Sequence, residues 1–184
     1  MDRFTIRNLE LYHSPHQNAV TLLDIIDKTI SPMGGRMLKR WLALPLKNIK
    51  KVRRRHQVVS YLSKEEDILQ KLQHAIKQMG DLERLISKVA TGKINPKEVI
   101  QLKNSLEAIV PIKALASNCD NESLKIIGDK LQSCGVLREK IKITLNEEAP
   151  VNVLKGNSIA SGFSSELDEL RGLSKLGKDY LDSM

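Results

Sequence analysis

A chain of 184 residues that is 41% hydrophobic, 28% charged and 3% aromatic must build its core from aliphatic side chains, which argues against a disordered tail and favours helix over sheet. No apolar run approaches the roughly 20 residues that span a bilayer, the first residues lack the apolar stretch of a secretion signal, and Cys119 and Cys134 make neither a disulfide framework nor a zinc site, so a cytoplasmic protein with no membrane contact is expected. The formal net charge is +8, yet the stretch from Lys28 to Lys64 holds eleven Lys or Arg and no Asp or Glu, so one segment carries the whole positive excess.

Thr5 to Leu11 alternate in polarity and read as a short extended strand. After Pro15 and Asn18, residues 21–27 read as a short helix with one apolar face. Ser31-Pro32 is a start signal, because serine accepts from free helix N–H groups and proline at the first position has no N–H to leave unpaired. The helix that follows places Met33, Met37, Leu38, Trp41 and Leu42 on one face and Arg36, Lys39 and Arg40 on the other, and Pro45 stops it. A second basic helix over 48–62 puts Val52, Val59 and Leu62 inside and Lys51, Arg54 and Arg55 outside.

Ile68, Leu69, Leu72 and Ile76 mark a third helix, and Gly80-Asp81 separates it from a stripe of Leu82, Leu85, Ile86 and Val89 that stops at Gly92. Asn95-Pro96 repeats the cap-plus-proline signal and opens about four turns, through Val99, Leu102, Leu106 and Ile109, which Pro111 ends or bends. Weaker helices are expected over 121–132 and 136–145, and a small hairpin around Gly156 over 150–161. From Ser164 a helix resumes with Leu167, Leu170, Leu173, Leu176 and Tyr180 on one side, and Ser165 with Asp168 resembles a capping box. This helix meets no stop signal before Met184, which suggests a longer natural polypeptide.

Little of this is chemistry. No G-x-x-x-x-G-K-[ST] and no G-x-G-x-x-G is present. Gly34 and Gly35 sit at a helix N-terminus that could bind an anion, but close packing between helices explains them better. His13 and His16 flank a proline and read as loop residues rather than metal ligands. Asp81 and Glu83 lie in a first helical turn, where the helix dipole is reason enough for them. Trp41 lies on an apolar stripe and reads as core, leaving no platform for stacked bases. The basic run fits either a solvated face or a phosphate-binding one, whose residues would be Arg36, Lys39, Arg40, Lys51, Arg54 and Arg55.

Four segments stand in one order along the chain: TIRNLEL from Thr5, TLLDIIDKTISPMGGRMLKRWL from Thr21 with Pro45-Leu46 behind it, GDLERLISKVA from Gly80 with Asn95-Pro96 behind it, and IASGFSSELDELR from Ile159. Together they resemble the core and lever region of the MutS family of bacterial DNA mismatch repair proteins. The resemblance implies an all-α, irregular multi-helix bundle over 1–163, with small extended elements, and the start of a long lever helix over 164–184 that leads toward a DNA clamp.

Members of that family are homodimers that encircle mismatched duplex DNA, hydrolyse ATP with Mg²⁺ in a separate P-loop domain, and recruit a repair factor of the MutL type. None of their catalytic, ATP-contacting or mismatch-contacting residues falls on a position of this chain. The resemblance therefore implies no enzyme, no cofactor and no metal here, but a mechanical coupling role. The alternative is an independent basic helical module that binds nucleic acid.

Overall fold

In the computed structural model, residues 1–16 and 18–182 are described, the side-chain surroundings of 178–182 excepted. Ten α-helices and one 3-10 turn account for the regular structure among these residues: α1 Arg3–Asn8, α2 Leu22–Ile26, α3 Pro32–Ala43, α4 Ile49–Leu62, α5 Glu66–Gln78, α6 Leu82–Ala90, α7 Pro96–Ser117, α8 Glu122–Lys130, α9 Gly135–Thr144, the turn Val153–Lys155, and α10 Ser165–Asp182. The fold is all-α. The only extended pairing among the described residues is a single antiparallel bridge between Leu145 and Ile159.

The helix starts follow the capping chemistry. Thr21 and Asp24 form a reciprocal capping box on α2. Ser31 accepts from the Gly34 N–H with Pro32 in the first turn of α3, and Asn48 accepts from the Lys51 N–H on α4. Asn95 accepts from the Glu98 N–H while the Glu98 carboxylate accepts from the Asn95 N–H, a second reciprocal box, on α7. At the other end of α6, Gly92 takes φ +65°, so that Lys93 and Gly92 donate back to Lys88 and Val89.

Four expectations are corrected. Residues 5–11 are not a strand. Asp2 accepts from the Thr5 N–H to start α1, and Glu10 at φ 46° lets Leu11 and Glu10 donate back to Ile6 and Arg7, closing a one-turn helix at both ends. The hairpin over 150–161 is absent. Asn152 accepts from the Leu154 N–H to make a 3-10 turn, and Ile159 pairs with Leu145 instead. Helix α7, expected to last about four turns, runs for 22 residues, so Pro111 does not end it, although proline removes one rung of its ladder. The cap of α10 is Ser164, which accepts from the Leu167 N–H, while Asp168 accepts from the Gly162 N–H at 2.6 Å.

The chain divides into two compact units. The first joins Met1–Arg84 to Ser105–Ser133, and the second joins Leu85–Asn104 to Cys134–Met184. In the first, α4 packs against α5 and α8. Ala116, Cys119 and Leu124 form a buried cluster, and Val58, Tyr61 and Leu62 of α4 close over it. Val58 and Tyr61 therefore face inward, whereas Val59, expected inside, is exposed. Asn121 accepts from the Leu124 N–H to cap α8 and donates to the Gln57 carbonyl, fixing α8 against α4. Gly128 of α8 is a close approach: a Cβ there would lie 2.8 Å from that of Ala116.

In the second unit, Ile100, Ile141 and Ala149 are buried with Val99 and Leu145 against them, and the buried Lys103 ammonium reaches Glu147 at 2.6 Å. The root of α10 is tied to the bridge segment, because Arg171 donates to the Ile159 carbonyl at 2.9 Å and to Asp168 at 3.1 Å. Beyond that root the apolar side is uncovered: Leu170, Leu173 and Leu176 are 58%, 66% and 68% exposed. Tyr180, assigned to the same side, has a side chain outside the described residues.

Candidate interaction surface

The six basic residues singled out in the sequence lie on α3 and α4, and the structure gives them different surroundings. Arg36 is paired. Its guanidinium donates two hydrogen bonds to Asp81, at 2.7 and 2.9 Å, and a third to Glu83 at 2.7 Å. Those bonds to Asp81 and Glu83 raise the Arg36 pKa, and the same guanidinium holds the Asp81 carboxyl below its ordinary value. Asp81 also accepts from the Arg84 N–H, so a single ion cluster pins the start of α6 to α3. The dipole explanation for Asp81 and Glu83 is thus incomplete, and Arg36 contributes least to any charged face.

Lys39 sits with its ammonium 5.0 Å from the centroid of the Tyr12 ring, whose hydroxyl donates to the Lys39 carbonyl. Arg40, Lys51 and Arg54 are exposed and make no ion pair among the described residues. Arg55 lies flat over Trp41, its guanidinium carbon 3.4 Å from the ring centroid. Trp41 is 41% exposed and is not the core residue its stripe suggested. The ring stacks under a cation at the surface instead of being enclosed.

Lys51, Arg54 and Arg55 line a groove of about 600 Å³ between α4 and α8, together with Trp41 and Leu46. Val58, Val59, Ile126 and Ile127 give the lining an apolar part, and Lys130 of α8 adds a fourth cation. No acidic residue lines it. The α8 contribution was not legible in the sequence, because nothing local shows that residues 123–130 lie beside residues 51–59.

The two glycines of α3 have a different neighbour from the one expected. A Cβ on Gly34 would meet Thr29 at 3.3 Å, and one on Gly35 would meet Thr29 at 3.3 Å and Asp27 at 3.4 Å. The preceding loop, not another helix, needs the space. Cys119 is buried and Cys134 exposed, and they are not bonded to each other. Among the described residues no group of three or more His, Cys, Asp or Glu is placed to hold a metal ion, and no helix is long and apolar enough to cross a membrane.

An all-α domain with a mixed basic and apolar groove and a last helix whose leucine side is uncovered defines a helical scaffold. Comparison with known proteins makes the class specific. The MutS domain III family matches residues 4–181, and the chain belongs to that family. It is 67% identical over all 184 residues to the DNA mismatch repair protein MutS of Flavobacterium psychrophilum and likewise 67% identical to that of Christiangramia forsetii. It is 49% identical over 181 residues to that of Phocaeicola vulgatus. The whole chain is covered in the first two cases and 98% of it in the third, yet it spans only 21% of the length of each relative.

Proposed function

We propose that this domain is a mechanical coupler in DNA mismatch repair, carrying motion between an ATP-hydrolysing part and a DNA-gripping part of a MutS protein. The observation that carries the reading is α10, an 18-residue helix fixed at its root by Arg171 and Asp168 and apolar along one uncovered side. A helix anchored at its root, once a second helix packs along its apolar side, moves as a unit, because packed elements shift between discrete arrangements rather than bend continuously. On this reading residues 164–182 form the lever, residues 1–163 its mount, and the Leu170, Leu173 and Leu176 side the seat for a second helix. ATP with Mg²⁺, mismatched duplex DNA, a second copy of the whole protein and a MutL-type factor are partners of that whole protein in the cytoplasm. The domain itself does no chemistry.

The test uses a full-length relative carrying this 184-residue sequence in place of its own segment. Leu170, Leu173 and Leu176 are changed together to Ser. The expected result is that ATPase turnover without DNA and mismatch binding without nucleotide persist, while ATP-triggered release from DNA slows by about tenfold or more, the size of an ordinary coupling free energy. Release at the unaltered rate would overturn the reading.

The alternative, duplex binding by the basic face alone, rests on the exposure of Lys39, Arg40, Lys51 and Arg54. Its support is thinner than in the sequence, since Arg36 is held by two carboxylates and Arg55 by a ring. It requires affinity for duplex DNA that falls steeply as salt is raised.

A further inference from the structure

We propose that the groove between α4 and α8 is a docking site for an acidic amphipathic helix of a partner protein, an interaction independent of the coupling role. Four cations, Lys51, Arg54, Arg55 and Lys130, rim it, and no carboxylate lines it. The same lining includes Val59, Ile126 and Ile127, which remain exposed, so the site has both the charge and the hydrophobic deficit that a binding partner removes.

The geometry selects among occupants. Duplex DNA offers phosphates for the cations, but phosphate contacts are made by charged and polar groups and would leave the aliphatic part of the lining uncovered. A bilayer is flat and cannot follow a groove. A helix can: α4 has 14 residues, hence a length of about 21 Å, and a partner helix of about four turns lies along it with residues spaced three and four apart on the apolar part of the lining. Carboxylates flanking that stripe meet the rim. Arg55 is held in place by Trp41, so part of the rim is organised before a partner arrives, which lowers the entropy lost on binding.

The probe is a fluorescein-labelled synthetic peptide of about 14 residues, with Leu at helical a and d spacing and Glu elsewhere, titrated into the 184-residue chain and followed by anisotropy. Controls are the same composition scrambled, the same pattern with Gln for Glu, and an unlabelled duplex of about 20 base pairs as competitor. The acidic amphipathic peptide is expected to bind about tenfold or more tightly than either peptide control. Arg54→Glu and Ile127→Ser, both at exposed positions, are each expected to weaken it by about tenfold while leaving helicity and melting temperature unchanged. Equal binding of the scrambled peptide would overturn the proposal by showing charge attraction alone. Displacement by the duplex with loss of duplex affinity in Arg54→Glu would overturn it in favour of a nucleic-acid face. No binding of any peptide would overturn it outright.

Discussion

Helices α7 and α10 are the two longest among the described residues, 22 and 18 residues; α7 carries leucines and isoleucines, and α10 leucines alone, at three- or four-residue spacing. Their fates differ. Along the middle of α7 two of every three residues are buried, with Leu102, Lys103, Ser105, Leu106, Ala108 and Ile109 inside and only Gln101, Asn104, Glu107 and Val110 in an exposed row. Along α10, Leu167 is half-buried and the next three leucines are exposed. The same periodic signal thus describes a helix whose partners are present and one whose stripe is uncovered. Periodicity states that a face wants burial, not that the burial occurs within the chain.

The largest effect that sharpens this contrast comes from truncating one leucine on each helix. Leu106→Ala should destabilise the fold by about 2–5 kcal/mol, because a buried side chain leaves both transfer energy and a cavity behind. Leu173→Ala should lie within about 0.5 kcal/mol of the parent, as surface changes usually do. Urea denaturation of both variants measures the pair. Similar losses would mean that α10 is covered by its own chain in solution.

Glycines repeat the comparison at smaller scale. Gly128→Ala would set a methyl group 2.8 Å from the Ala116 Cβ, 2.9 Å from the Ser117 Oγ and 3.0 Å from its backbone nitrogen. Overpacking of that kind costs about 1–3 kcal/mol and outweighs the roughly 1 kcal/mol that alanine gains in a helix. In α10, Gly172 and Gly177 have nothing within 4 Å of such a methyl. Each change to Ala should therefore raise stability or helicity, by at most about 1 kcal/mol. Circular dichroism melts separate the two signs. A stabilising Gly128→Ala would show that the α7–α8 approach relaxes freely.

What could be read from the sequence divides along the same line. Local signals were legible: Ser31-Pro32, Asn95-Pro96 and Gly92 each mark a helix end that the structure has, whereas the Thr21–Asp24 box and the Asn48 cap were not singled out. The all-α class rested on the three- and four-residue apolar spacing between them together with the family resemblance. Short segments misled, because over six or seven residues a one-turn helix and a strand share the same alternation; in α1 the Asp2 cap and the left-handed Glu10 decide. The interaction surface was half legible. Its cations stood out as a run without carboxylates, but the Arg36 pairing spans 45 residues and the lining from α8 lies some 70 residues from α4, distances at which one sequence carries no pairing signal. Trp41 was misplaced for the same reason, since its partner Arg55 sits on the next helix.

The smallest effect is the one that separates Arg36 from the other cations of its face. The Arg36 guanidinium holds the Asp81 carboxyl below the usual value near 3.9. A carboxyl depressed in the folded state adds stability that is fully present above its unfolded pKa and is lost as pH falls through its folded one. The cluster therefore supports the fold at neutral pH and stops doing so in acid. Arg36→Gln should melt below the parent at pH 7, and the gap should narrow steadily as pH is taken below about 4, where the parent loses the same contribution by protonation. Other depressed carboxyls, Asp24 and Glu147 among them, weaken parent and variant alike and so cancel in the difference. Arg54→Gln, with no acidic partner among the described residues, should track the parent across the range. If the Arg36→Gln gap is absent at pH 7 or constant down to pH 2, the cluster is only a surface contact, and Arg36 rejoins Lys39, Arg40, Lys51 and Arg54 as an available charge.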